Sequence, residues 1–271
     1  MELKKIWAVY YSATGTTAKV VRTVAEALAE QLGLPVEDRG FTRPGERAEV
    51  RRFSEEDLVV VGSPTYAGRL PNKLLPDFQT KLCGNGALAV PIVLFGNRSY
   101  DNSLAELCAV LEAAGFLPLA AAAFVGRHAF TDELAFGRPG WSDLAEARDF
   151  AGKIAGKIKA EALEPVRVPG DPEAPYYIPK GADGAPVKFL KAKPKTDLSR
   201  CSNCGACARA CPMGAIDPQN VAEVPGTCIK CQSCVRKCTR GAKYFDDPAF
   251  LSHVAMLEQN FREPRENELF M

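Results

Sequence analysis

Along the first 162 residues, short apolar runs alternate with longer stretches in which apolar side chains recur every three or four positions. Apolar runs bounded by turn residues read as buried strands, and a 3.6-residue period reads as amphipathic helix. "IWAVYY" (6–11) predicts a first strand. "TAKVVRTVAEALAEQLG" follows as a helix, with Val20, Val24, Ala27, Leu28 and Leu32 at helical spacing and Gly33 as its stop. "LPVEDRG" predicts a shorter strand at or near an edge, and "LVVVGSP" (58–64) a strand running into turn residues. "PNKLLPDFQTKL" predicts a weaker helix interrupted by Pro76, "ALAVPIVLFGN" (87–97) a strand, and "SLAELCAVLEAAG" (103–115) a helix. The alanines of "LPLAAAAFVG" (117–126) favour helix by propensity. That run is short and lies between two helical stretches, so a fifth strand is expected. "WSDLAEARDFAGKIAGKIKAEAL" (141–163) closes the unit as a helix. Five strands with interleaved helices predict a doubly wound α/β domain with a parallel five-stranded sheet over residues 1–162.

The pattern then breaks. Seven prolines, from Pro165 to Pro194, argue for an extended, semi-rigid connector, assigned to 163–195. Its "APYYIP" offers two tyrosines that either dock on a neighbouring surface or stay solvated. Residues 196–246 form a cysteine-rich module. "DPAFLSHVAMLEQNF" predicts a closing helix, and 247–271 as a whole a helix with a polar tail.

Charge adds mostly exclusions. With 34 basic against 33 acidic side chains, the chain has no broad attraction for nucleic acid. No apolar run approaches membrane-spanning length, and "MELKKIWAVYY" is too short for a signal peptide. A soluble, cytoplasmic protein without membrane insertion is the expectation.

The cysteines change the picture. Eight of the ten fall in residues 201–238. A disulfide scaffold would spread them through the fold, so this crowding points to metal ligation. Cys83 and Cys108 stand apart among apolar neighbours and are expected to be inert buried thiols. "CSNCGACARACP" places Cys201, Cys204, Cys207 and Cys211; "CIKCQSCVRKCT" places Cys228, Cys231, Cys234 and Cys238. Both runs have C-x2-C-x2-C-x3-C spacing, which lets three thiolates wrap one iron–sulfur cube while the fourth reaches the neighbouring cube. Zinc is the competing ligand, but it favours ligands in two separated pairs. Two [4Fe–4S] clusters are expected. The runs resemble those of bacterial two-cluster ferredoxins, which fold as a small α+β domain. The resemblance implies one cluster on Cys201, Cys204, Cys207 and Cys238, and another on Cys228, Cys231, Cys234 and Cys211. Thr239 stands where that family usually has proline. From residue 186 onward there are 13 basic and 9 acidic side chains, and two oxidised clusters with their thiolates add about −4.

"YYSATGTTAK" (10–19) is a hydroxyl-rich loop between the first strand and the first helix. It lacks the lysine of a triphosphate loop and the G-x-G-x-x-G of a dinucleotide site. Hydroxyls and N–H groups at a helix N-terminus suit a monoester phosphate, although a Ser/Thr-rich helix cap would look similar. Here the chain resembles the flavodoxins, whose FMN lies at the switch point between strands one and three. The resemblance implies FMN held by Ser12, Thr14, Gly15, Thr16 and Thr17, with its ring between two loops. One, "GSPTYAGRLP", supplies Pro64, Thr65, Tyr66 and Gly68. The other, "FGNRSYDN", supplies Gly96, Asn97, Tyr100 and Asp101. Tyr66 and Tyr100 are the expected stacking aromatics. Arg69 and His128 are expected at the surface, while Arg98 either offsets charge on the reduced flavin or faces solvent.

The chain is thus similar, from residue 5 to about 246, to proteins that fuse a flavodoxin-like domain to a two-cluster ferredoxin domain. No residue stands out for catalysis. Electron transfer between the clusters and FMN, with unidentified redox partner proteins, is the leading expectation. An FMN-dependent reductase of a small substrate and a redox sensor or assembly subunit are the alternatives.

Overall fold

The computed structural model describes residues 2–271. The strands β1 (Lys5–Tyr10), β2 (Val36–Gly40), β3 (Asp57–Pro64), β4 (Leu88–Phe95) and β5 (Ala121–Val125) form one parallel sheet in the order 2-1-3-4-5. That is the flavodoxin-like doubly wound order. Every residue of β4 and β5 is buried, as central strands covered on both faces require. The alanine run is therefore strand because the sheet buries it from both sides, whatever its helix propensity.

Helices α1 (Thr16–Leu32) and α4 (Trp141–Lys159) cover one face, with Val20, Val21, Val24 and Leu28 of α1 in the same core as Phe150 and Ile154 of α4. Helices α2 (Leu75–Lys81) and α3 (Ser103–Ala113) cover the other, where Phe41, Phe78, Phe53 and Phe116 pack. Pro76 begins α2 instead of interrupting it: in the first turn its missing N–H is needed by no hydrogen bond.

The connector has almost no regular structure and is largely exposed, but its two tyrosines are held against the α/β domain. The Tyr177 N–H donates to the Ala67 carbonyl at 2.8 Å, and the Tyr176 hydroxyl to the Leu70 carbonyl at 2.8 Å. It lies as a strap across the loop that follows β3.

Next, β6 (Lys195–Thr196) pairs antiparallel with β7 (Lys243–Tyr244). The short helices α5 (Ala206–Ala210) and α6 (Ser233–Arg236) lie between them in sequence and complete the small α+β module. Helix α7 (Pro248–Asn260) starts at Asp247, whose carboxylate accepts from the Phe250 N–H at 2.9 Å. The expected polar tail instead ends in β8 (Glu268–Phe270), antiparallel to β5 at the sheet edge. Its apolar Leu269 and Phe270 pack against the two cores of the sheet. Among the described residues no helix is long and apolar enough to cross a membrane.

Candidate functional site

A cavity of about 620 Å³ opens at the carboxyl ends of β1, β3, β4 and β5. The loop after β1 forms its floor. Gly15 takes the N-cap of α1 at φ 101°, a conformation open to glycine, and has no side chain of its own to cap the helix. Ser12 Oγ accepts from the Ala18 N–H at 3.0 Å and stays out of the cavity, while Thr14, Thr16 and Thr17 line it. The floor thus offers three threonines at the start of α1, where Ser12 takes the Ala18 N–H.

One wall is the turn after β3. Tyr66 and Arg69 exchange both backbone hydrogen bonds, at 2.8 and 3.2 Å, with Ala67 and Gly68 at positive φ. This is the pattern of a tight hairpin turn. A Cβ on Gly68 would meet Asp101 Oδ2 at 2.3 Å, so glycine is required there twice over. Pro64, Thr65, Tyr66 and Gly68 all line the cavity. The Tyr66 hydroxyl lies 3.4 Å from that of fully buried Tyr11. Burial holds the Tyr66 hydroxyl far above the ordinary phenol range, and Cys231 adds to the shift.

The loop after β4 departs from expectation. Gly96 lines the cavity; Asn97, Tyr100 and Asp101 do not. Tyr100 turns into the core against Phe95 and donates to Glu268 Oε2 of β8 at 2.6 Å. Asn97 clamps the tail, donating to the Phe261 and Glu263 carbonyls at 2.5 and 3.0 Å. Asp101 pairs with Arg98. The cause is shared: the returning C-terminal segment claims Asn97 and Tyr100. In the cavity their place is taken by Arg98, which lies 4.1 Å from the Tyr177 ring centroid, and by the strap.

Two other expectations are corrected. Arg69 is buried, with Nη2 2.5 Å from Glu106 and 2.6 Å from the Pro172 carbonyl. Cys83 is only partly buried and donates to Asn85 Oδ1 at 3.3 Å, whereas burial pushes the Cys108 thiol up to about 12.

His128, expected at the surface, lines the cavity, as does His253 of α7; these are the chain's two histidines. A Cβ on Gly96 would meet the His128 ring at 2.4 Å, so that glycine makes room for it. His128 Nδ1 accepts from the Phe130 N–H at 3.1 Å, and burial pulls its pKa down to about 4. His253 Nδ1 lies 2.8 Å from the Lys180 carbonyl, which fixes the proton on Nδ1 and leaves Nε2 as an acceptor.

The third wall comes from the cysteine module: Cys228, Ile229, Lys230 and Cys231 line the same cavity as Thr14 and Tyr66. Behind them a second, small cavity is enclosed by Cys211, Cys228, Cys231 and Cys234. Cys211 of the first run thus lines one cavity with three cysteines of the second, the grouping that the resemblance implies. Among the described residues no three such side chains meet at one single-ion position; these four thiols surround a space.

The donor set, four cysteines with backbone N–H groups around them, suits an iron–sulfur group. Burial pushes the free Cys231 thiol up to about 12, so thiolates there need a cationic group between them. Backbone N–H groups already face the sulfurs: Lys230 to Cys228 at 3.4 Å, Ala215 to Cys211 at 3.3 Å, Asn203 to Cys201 at 3.4 Å and Ala242 to Cys238 at 3.2 Å. Cys201 and Cys211 pack around the module's own core of Cys207, Cys234, Ile216 and Val221.

Residues 194–217 and 225–241 each match a family model described as a 4Fe-4S binding domain. No curated protein sequence matches the chain. Among solved structures, a flavodoxin from the domain Archaea is 16% identical, covering 57% of this chain and 99% of its own, with a TM-score of 0.39. Two-electron reduced flavodoxin of Megasphaera elsdenii is 16% identical, covering 56% and 98%, with a TM-score of 0.34. The rubredoxin oxygen:oxidoreductase of the anaerobe Desulfovibrio gigas is 18% identical at a TM-score of 0.39. It covers 59% of this chain, which spans only 37% of that protein. The molecule joins a flavodoxin-like α/β domain, defined by its strand order, to a 4Fe-4S ferredoxin module, defined by its cysteines and their family match.

Proposed function

We propose that the protein carries FMN in the large cavity and two [4Fe–4S] clusters in the module, and passes electrons between them. The observation that carries this reading is the shared wall: Cys228 and Cys231 line the same cavity as Thr14, Thr16 and Tyr66. When bound, each cluster exchanges single electrons, whereas FMN accepts two and releases them singly. Thr14, Thr16 and Thr17, at the N-terminus of α1, suit a terminal phosphate. The Tyr66 turn and the Tyr176–Tyr177 strap offer aromatic and backbone contacts to a planar ring. Cys211, Cys228, Cys231 and Cys234 hold the cluster next to the flavin; Cys201, Cys204, Cys207 and Cys238 hold the remote one.

The test is replacement of Thr14 and Thr16 together by alanine. Each lost charge-assisted bond is worth about 1–3 kcal/mol, so FMN affinity measured by fluorescence titration falls by at least about tenfold while iron content stays constant. Unchanged affinity sinks the flavin assignment of the loop.

A second reading, reduction of a small molecule at the flavin, is favoured by one observation: both histidines line the cavity, held by backbone groups and edged by Phe130 and Phe189. Steady turnover of a quinone or nitro compound that is lost in His253→Phe supports it; equal turnover by the variant removes it.

A further inference from the structure

Cys204 is the one exposed cysteine of the ten, and cations frame it. Arg209 Nη1 donates to the Cys204 carbonyl at 3.0 Å, and Arg240 Nε to the Arg200 carbonyl at 2.8 Å, one residue before Cys201. The Arg200 guanidinium lies along Gly241, where an added Cβ would meet Nη2 at 2.6 Å. All three arginines are exposed, as is Lys237 beside Cys238. None of the four joins an ion pair among the described residues; the module's pairs are Lys195–Asp246 and Arg236–Asp132. Residues 198–210 and 235–244, which carry Cys201, Cys204, Cys207 and Cys238, contain no acidic side chain. The nearest in sequence, Asp197, is turned onto the Ser199 hydroxyl and N–H at 2.6 and 2.9 Å. Leu198 stands 73% exposed next to it.

Positive charge is therefore concentrated at the end of the module remote from the flavin cavity, around the one ligand cysteine that is exposed, and the four unpaired cations outweigh the roughly −2 of one oxidised cluster with its thiolates. A patch of one sign steers an oppositely charged partner and orients it at encounter. Arginines around an exposed leucine match the composition of protein interfaces, where arginine is enriched. No exposed tyrosine, tryptophan or phenylalanine lies in these two stretches except Tyr244, so the stacking platform of a single-stranded nucleic-acid site is missing.

We propose that this face docks an acidic one-electron carrier protein, whose electrons enter the chain at the Cys204 edge. One electron passes per encounter: the carrier is oxidised, the remote cluster is reduced, and no bond or proton moves. The inference rests on the electron-transfer reading above and adds the place and charge of the partner.

The experiment uses the full-length, cluster-loaded chain and an acidic two-[4Fe–4S] ferredoxin as probe. Calorimetry with both proteins oxidised measures binding with no electron moving. Reversing all three charges (R200E, R209E and R240E together) weakens binding by about tenfold or more, Lys237→Glu weakens it less, and added salt weakens the wild type. Iron and sulfide analysis shows whether the triple variant keeps its clusters; if it does not, Lys237→Glu and the salt series carry the test. Affinity indifferent to charge reversal and salt overturns the proposal, as does tighter binding of a DNA oligonucleotide than of the ferredoxin. Reduced methyl viologen, too small to need docking, separates the two ideas. If it reduces the clusters while bound flavin stays oxidised, the electron-transfer reading fails, whatever the binding data show.

Discussion

Arg47 Nη2 donates to the Pro212 carbonyl at 2.8 Å, joining the α/β domain to the residue after Cys211. The guanidinium is buried and its Nε bonds Asp77 Oδ2 at 2.7 Å. One arginine thus holds the residue next to Cys211. Replacing Arg47 with methionine leaves the Pro212 carbonyl and Asp77 without this partner. A hydrogen bond to a charged group contributes about 1.5–3 kcal/mol, discounted for Asp77, which is partly solvated. The expected outcome is a loss of about 2–3 kcal/mol in denaturant unfolding of the whole chain. Because Cys211 directly precedes Pro212 in the chain, the variant should also lose iron first from the cluster that Cys211 would hold, read by iron and sulfide assay over time.

Glu106 ties the Tyr66 turn to α3. It accepts from the Leu70 N–H at 2.6 Å and from Arg69 at 2.5 Å, and is 3% exposed. Glu106→Ala strands a buried cation and a buried N–H, which costs about 3–5 kcal/mol. Thermal unfolding shows the loss directly. Glu106→Gln keeps the shape and one acceptor, and recovers part of it.

Much of this was legible in the chain. Buried strands announce themselves as apolar runs, α1 and α3 as periodic ones, and the spacing of the two cysteine runs marks the 4Fe-4S module. The illegible parts all depend on what a segment meets after the chain returns. Nothing local to Tyr100 says that Glu268 will arrive to accept its hydroxyl, so its position in a switch-point loop suggested the cavity instead. His253 lies on a helix read only as a closing element. "APYYIP" fixes an extended backbone through its prolines but not the surface it lies against. That surface is set by Ala67 and Leu70, more than 100 residues earlier.

Asp143 gives the fold an acid limit. Burial works to raise its pKa, but Arg138, Asn267 Nδ2 at 2.9 Å and the Gly140 N–H at 2.7 Å outweigh it, holding the carboxyl below its ordinary 3.8. A folded value below the unfolded one means the stabilisation is complete above 3.8 and is lost as pH falls through the folded value. The melting temperature of the wild type therefore exceeds that of Asp143→Asn by a constant amount at neutral pH, and the gap closes in strong acid. A gap that instead widens in acid contradicts the assignment. Asn267 makes the consequence structural, since it also accepts from the Val125 N–H at 2.9 Å and so holds the tail beside β5.

The last prediction concerns the strap. If the connector merely tethered two domains, cutting it would make electron exchange depend on protein concentration, because a tether acts by raising effective concentration. The geometry predicts otherwise. Arg47 bonds Pro212, Arg236 bonds the Ala129 and His128 carbonyls at 3.2 Å each, and β8 completes the sheet edge. A protease site inserted at exposed Asp183–Gly184 severs the connector but none of these contacts. After cleavage the halves should co-elute on size exclusion, and flavin reduction through the clusters should keep its rate at any dilution above the dissociation constant. Adding Tyr177→Ala removes the Arg98 contact, worth about 0.5–2 kcal/mol, and should loosen the flavin before it separates the halves. A cut chain that falls apart, with a rate that climbs with concentration, would show that the shared wall of Cys228, Cys231 and Tyr66 is held by the tether alone.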